Sequence, residues 1–248
     1  MSEAQFLKTE PGRTIAYHKS AGQGPGVVFL GGLRSDMTGT KALYLQDWAQ
    51  SHGRAFLRFD YSGHGASGGA FEDGCIGDWL ADAQMVLALT EGRQVLVGSS
   101  MGGWIALLIA RDMPEMVAGL VTVAAAPDFT DAIEAGMAAA ERREMARTGR
   151  IAQPSDYGDA YVITRKLIED GRNRRIFDRP LNLSMPVRFL QGMADADVPA
   201  ATAMRLLDHA TGPDMRLTLV KGADHRFSTP DCLRLIETSV TKVSARSG

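Results

Sequence analysis

Apolar positions along the chain follow two rhythms. Short runs at 27–30, 55–59, 94–97, 118–124, 187–190 and 215–220 have the length and the β-branched and aromatic content of buried strands. Residues 13–19 read as an early strand of a hairpin. Longer segments between these runs carry a helical stripe. At 40–52 the stripe is Ala42, Leu45, Trp48 and Ala49, with Gly53 as the stop. Helices are also expected at 74–89, 103–113 and 200–209. Thr229 and Pro230 read as N-cap and first-turn proline of a last helix, whose inner face is Leu233, Ile236, Val240 and Val243. Strands that alternate with helices predict right-handed crossovers and a mostly parallel sheet covered on both faces.

One stretch breaks the alternation. Between 128 and 183 no buried strand is evident, and helices are expected at 133–147 and 156–169. Ligands bind outside the carboxyl ends of strands in such sheets. The segment therefore reads as a small helical lid, 128–183, inserted into a single domain spanning 1–248. Pro180 and Pro186 flank the return to the sheet.

Composition narrows the classes. The 248 residues are 45% hydrophobic with a formal net charge of −2, which argues against nucleic acid as a partner. No apolar run is long enough for a membrane span. Cys75 and Cys232 are too few for a disulfide framework or a metal cluster and read as buried thiols. The first eight residues show no basic and apolar leader pattern, so a cytoplasmic protein is expected.

The chemistry centres on Gly98-Ser99-Ser100-Met101-Gly102. A strand precedes this G-x-S-x-G and a helix follows it, so Ser100 is expected on a sharp turn at the top of the sheet. A serine hydroxyl needs a base, and the base needs a carboxylate. The chain order serine, acid, histidine selects His225, on the loop after the last strand. His18, His52 and His209 read as surface or capping residues, and His64 precedes the serine. The acid is expected in Gly192-Met193-Ala194-Asp195-Ala196-Asp197, with Asp195 favoured, Asp197 as a solvated or capping competitor, and Asp128 as a third choice. Backbone N–H groups of Met101 and Leu33 are the expected oxyanion donors, Leu33 following the Gly31-Gly32 pair.

These motifs resemble the α/β-hydrolase superfamily across nearly the whole chain. Leu30-Gly31-Gly32 stands where the family's His-Gly oxyanion motif lies, with Gly31 in place of the histidine. Phe59-Asp60-Tyr61-Ser62-Gly63-His64-Gly65-Ala66-Ser67 resembles the family's D-x-x-G-x-G-x-S loop. Gln191 to Asp195 resembles its acid turn, and Gly222-Ala223-Asp224-His225 its histidine loop. The segments Met37-Thr38-Gly39-Thr40-Lys41-Ala42 and Val97 to Trp104 are similar to a branch of acyl-protein thioesterases and acyl-glucuronide esterases. The resemblance implies a small-molecule acyl ester or thioester as substrate. Ser100, Asp195 and His225 are then catalytic, and no metal or cofactor is required. Alternatives on the same fold are a C–C bond hydrolase, a peptidase, or a non-catalytic binding protein.

Candidate substrate contacts are Arg34, Tyr157, Tyr161 and Arg226, with Met101 and Met137 as pliable pocket residues. Trp104 reads as core. Arg165, Arg172, Arg174 and Arg175 read as a solvated basic face.

Overall fold

The computed structural model describes residues 3–9, 12–153 and 160–245. In chain order its elements are β1 (Gln5–Lys8), β2 (Thr14–Ser20), β3 (Gln23–Leu30), α1 (Thr40–Ser51), β4 (Arg54–Phe59), α2 (Ile76–Leu87), β5 (Gln94–Ser99), α3 (Met101–Asp112), β6 (Val117–Val123), α4 (Phe129–Gly136), α5 (Ala139–Thr148), β7 (Arg150–Gln153), β8 (Tyr161–Thr164), α6 (Arg165–Asn173), β9 (Leu181–Asn182), β10 (Val187–Gly192), α7 (Ala200–His209), β11 (Ala210–Thr211), β12 (Met215–Val220) and α8 (Pro230–Ser244).

Eight strands form one mixed sheet in the order β1-β2-β4-β3-β5-β6-β10-β12. The first two strands pair antiparallel, β2 runs antiparallel to β4, and all later pairings are parallel. Alternation along each central strand divides the interior into two layers. Val28 and Leu30 of β3 and Leu96 of β5 face a layer built from Trp79 of α2 and Trp104 and Ile105 of α3. Val27, Phe29, Val95 and Val97 face the opposite layer, closed by Leu45 and Trp48 of α1 and by Leu233, Ile236, Val240 and Val243 of α8. A one-residue slip would exchange the layers, so register is tightly specified. Cys75 and Cys232 are buried free thiols.

The 128–183 segment differs from its sequence reading in two ways. The helix expected at 133–147 is two helices, α4 and α5, which break after Gly136. Glu141 restarts the second by accepting from the Ala138 backbone N–H at 2.7 Å. The helix expected from 156 to 169 begins only at Arg165, where the Thr164 side chain accepts from Leu167 N and caps it. Tyr161-Val162-Ile163-Thr164 is a strand instead, antiparallel to β7. Its aromatic and β-branched residues favour the extended backbone, and Ile163 is buried against the core. The start of that predicted helix lies outside the described residues.

Candidate active site

Ser100 joins β5 to α3 in a conformation foreign to most L-residues, φ 54° and ψ −118°. The surrounding bonds hold it there. Its N–H donates to Val123 O at 2.9 Å, and its carbonyl accepts from Gly103, Trp104 and Ala126. The flanking glycines are steric necessities. A Cβ on Gly98 would sit 2.4 Å from Gly102 O, and one on Gly102 would sit 2.1 Å from Leu30 O.

Three strand ends deliver the side chains predicted to meet. The Ser100 Oγ lies 3.2 Å from His225 Nε2, and His225 Nδ1 lies 2.9 Å from Asp195 Oδ2. With Nδ1–H directed at the carboxylate, Nε2 is left as the acceptor for the serine hydroxyl. Asp195 is held from all sides. Its Oδ1 accepts the N–H groups of Asp197 and Val198, and its Oδ2 also accepts from Gln191 Nε2. Burial raises the Asp195 pKa, but the bonds from His225, Val198 and Gln191 outweigh it, and the net shift is downward. The side chain is fully buried, whereas His225 retains 18% exposure.

The two rival acids sit elsewhere. Asp128 receives the N–H groups of Ile176 and Phe177 and pins the return of the 128–183 segment. Asp197 is exposed and does not cap α7, whose N-cap is Pro199. Two other histidines bond elsewhere: His52 Nδ1 lies 2.8 Å from Trp48 O, and His209 Nε2 meets the carbonyls of Ile176 and Arg179. His64 is buried among Tyr61, Phe71 and Trp79, and burial pushes its pKa down to about 4. Asp195, Asp197 and His225 together offer ligand atoms within 4.8 Å of one another, but Asp195 and His225 already bind each other.

A cavity of about 530 Å³ opens beside Ser100 and His225. Its apolar wall includes Leu33, Met101, Phe129, Ile133 and Ile163, and its polar rim includes Arg34, Lys41, Tyr161 and Arg226. The N–H of Met101 is among the first donors of α3, which have no carbonyl within the helix. Among the described residues, the N–H groups of Leu33 and Met101 have no hydrogen-bond acceptor. Gly32 makes the close approach possible, since its added Cβ would meet Ser100 Cβ at 3.3 Å. Arg34, itself at φ 53°, reaches across the rim: its guanidinium stands 5.1 Å from the Phe71 ring and 5.7 Å from the Tyr161 ring. Tyr157 lies outside the described residues. Met137 is packed in the core rather than on the cavity wall. Trp104 is core as expected, its Nε1 donating to Arg174 O. Three arginines of the basic face are paired, Arg172 with Glu134, Arg174 with Asp170 and Arg175 with Asp131, and Arg165 donates to the carbonyls of Met145 and Ala146.

Lys41 is the rim residue that sequence reasoning missed. It stands in the first turn of α1, and its Nζ donates to Arg226 O at 2.6 Å. A cation in the first turn of the helix that follows the Gly31-Gly32 loop was the available signal.

The model of the alpha/beta hydrolase family matches residues 27–239. The chain belongs to that family. Human mitochondrial palmitoyl-protein thioesterase ABHD10 is 34% identical over 234 residues, 93% of this chain and 76% of the human protein. Among solved structures, the mouse alpha/beta hydrolase domain-containing protein 10 superposes with a TM-score of 0.91 at 30% identity, covering 100% of both chains. A candidate hydrolase from Agrobacterium vitis S4 superposes with a TM-score of 0.92 at 44% identity, covering 98% of both. This homology supports an esterase or thioesterase hydrolase. No helix among the described residues is long and apolar enough to cross a membrane.

Proposed function

We propose that this alpha/beta hydrolase cleaves acyl thioesters or carboxylic esters of small molecules through an acyl-enzyme on Ser100. The observation that carries the reading is the continuous relay Ser100 Oγ, His225, Asp195 opening onto an apolar cavity. Ser100 attacks the acyl carbonyl while His225 Nε2 takes its proton. The N–H groups of Leu33 and Met101 receive the developing oxyanion, the second aided by the positive end of α3. His225 then protonates the departing alcohol or thiol. Water, deprotonated by the same imidazole, attacks the acyl-serine, and the imidazolium returns the proton to Ser100 Oγ as the C–O bond breaks and the acid leaves. Asp195 holds the imidazole in the working tautomer and stabilises its charged form.

The cavity volume lies within the range of about 300–1,000 Å³ typical of sites that enclose a small ligand. The apolar wall suits an acyl chain of medium or long length, and the relatives' name, palmitoyl-protein thioesterase, is consistent with one. Arg34, Tyr161 and Arg226 line the same cavity and are the side chains we assign to the leaving group. In this reading α4 and the β7–β8 pair, which supply Phe129, Ile133, Gln153, Tyr161 and Ile163 to the cavity wall, are the covering part of the lid segment 128–183.

The test is a panel of p-nitrophenyl esters and acyl-CoA thioesters of increasing chain length, run on the wild type and Ser100→Ala beside a fluorophosphonate probe. Turnover and Ser100 labelling in the wild type, both absent from a folded Ser100→Ala, are expected. A folded wild type that neither labels nor turns over any member would overturn the reading.

A further inference from the structure

His225 sits on a loop between β12 and α8 that bonds to itself and to the Asp195 turn. Ala223 O accepts from Ala194 N at 3.0 Å, tying the loop to the Asp195 turn. Asp224 Oδ1 accepts from Phe227 N at 3.0 Å, closing a short turn around the histidine. Phe227 anchors that turn with a fully buried ring and a backbone at φ 50°, a conformation that needs support from its surroundings.

A hydrogen bond from α1 reaches the loop at its backbone. Lys41 Nζ donates to the carbonyl of Arg226, the residue between His225 and Phe227. That carbonyl also accepts from Ser228 Oγ at 2.8 Å, so both of its lone pairs are used. Lys41 belongs to a helix packed on β4 and α8, a rigid base for such a strut. The Lys41 residue is half-buried, and burial brings its pKa down to about 8 against the opposing pull of Asp224. A lysine serving only solubility would point into solvent and keep its side-chain entropy.

We propose that Lys41 is a positioning residue that fixes the Arg226–Phe227 peptide and thereby holds the His225 imidazole in reach of Ser100. The proposal rests on the hydrolase reading above. Its effect belongs to the chemical step, because misplacing the base by a fraction of an ångström slows proton transfer without weakening acyl binding.

The experiment compares Lys41→Met and Lys41→Arg with the wild type, using fluorophosphonate labelling rate, steady-state kinetics on one p-nitrophenyl ester, and thermal melting. Lys41→Met keeps the stem's volume and removes the donor. It is expected to lower kcat and the labelling rate about tenfold with KM within about twofold. Lys41→Arg, which retains a donor, is expected to recover most of the loss. A wild-type labelling rate in Lys41→Met overturns the proposal and leaves the hydrolase reading intact, as does a raised KM at unchanged kcat, which would make Lys41 a substrate contact. Should Lys41→Met melt early, Lys41→Arg decides: a folded variant as slow as Lys41→Met overturns positioning by the donor. Failure of the wild type itself to label strikes the hydrolase reading instead.

Discussion

Gln191 Nε2 and His225 Nδ1 converge on the same oxygen, Oδ2 of Asp195, each at 2.9 Å. Gln191 is completely buried at the end of β10, and its Nε2 also meets Val198 O at 2.9 Å. One amide therefore spans the Asp195 turn and holds the carboxylate facing the histidine. The same bond helps hold the Asp195 pKa down and so keeps the carboxylate ionised, as the proposed mechanism needs.

Gln191→Leu is expected to lower kcat about 10- to 100-fold while KM changes less than about twofold, the loss of a bond made to a charged group in a desolvated site, about 1.5–3 kcal/mol. Stability should fall as well, by about 1–3 kcal/mol, since Val198 O loses its donor. Steady-state kinetics with denaturant unfolding checks both. Unchanged kcat would mean that the backbone N–H groups of Asp197 and Val198 alone orient Asp195.

The elbow predicts a purely steric failure. Gly102→Ala would place a methyl 2.1 Å from Leu30 O and 2.4 Å from Gly31 O, both backbone atoms of the oxyanion loop. Neither can swing away as a side-chain tip could. The expected cost is about 3 kcal/mol, at the upper end for overpacking, or roughly 6–12 °C in Tm for a chain of this size. Activity should fall further than stability, because relief of the clash moves the loop that carries Leu33. Thermal melting beside ester turnover measures it, and an unchanged Tm would contradict the geometry.

Which parts were legible in the sequence follows from how local each signal is. Ser100 sits inside five contiguous residues whose glycines answer one steric demand, and Asp195 and His225 then follow from chain order and strand ends. The two-layer core was equally readable, because β3, β5 and β6 alternate or run apolar without a break. The 128–183 segment was not. Its α5 stripe is weak and its faces are half-solvated, so period carried little information, and the four-residue strand β8 reads as a turn of helix when taken alone. Only its pairing with β7 and the Thr164 cap separate strand from helix. Lys41 was missed for a related reason: its partner is a backbone carbonyl 185 positions away, invisible to any local pattern.

Arg34 joins the loop after β3 to the β7–β8 pair. Its guanidinium lies over Phe71 and Tyr161, and Nη1 approaches Ala160 O at 3.5 Å. Cation–π contacts at exposed positions are worth about 0.5–1 kcal/mol each, too little to hold the fold but enough to bias a small element. Arg34→Ala is expected to leave Tm within about 2 °C while hydrogen exchange at β8 amides speeds several-fold. Exchange measured by mass spectrometry on peptides covering 160–167 tests this. Unaltered exchange there would show that Ile163 packing, not Arg34, holds the strand.

His64 supplies the clearest pH dependence. Its ring is 3% exposed inside a cage of Tyr61, Phe71 and Trp79, with Nδ1 3.1 Å from Ser62 O. Burial lowers its pKa from 6.5 to about 4, the Ser62 bond opposing the shift and Arg34 adding to it. The sign follows from proton uptake. Between those two values the unfolded chain binds a proton that the folded chain refuses, so stability falls as pH drops through the window and the loss is complete below about 4. At pH 4.5 this one group should cost about 2 kcal/mol relative to pH 7. His64→Phe keeps an aromatic ring in the cage and removes the titration. Its absolute stability at pH 7 is expected to fall with the loss of the Ser62 bond, but its decline from pH 7 to pH 4.5 should be shallower than the wild type's by that same amount. Urea unfolding of both proteins at the two pH values gives the difference directly, and parallel declines would mean that carboxylates such as Asp195, not His64, govern acid stability.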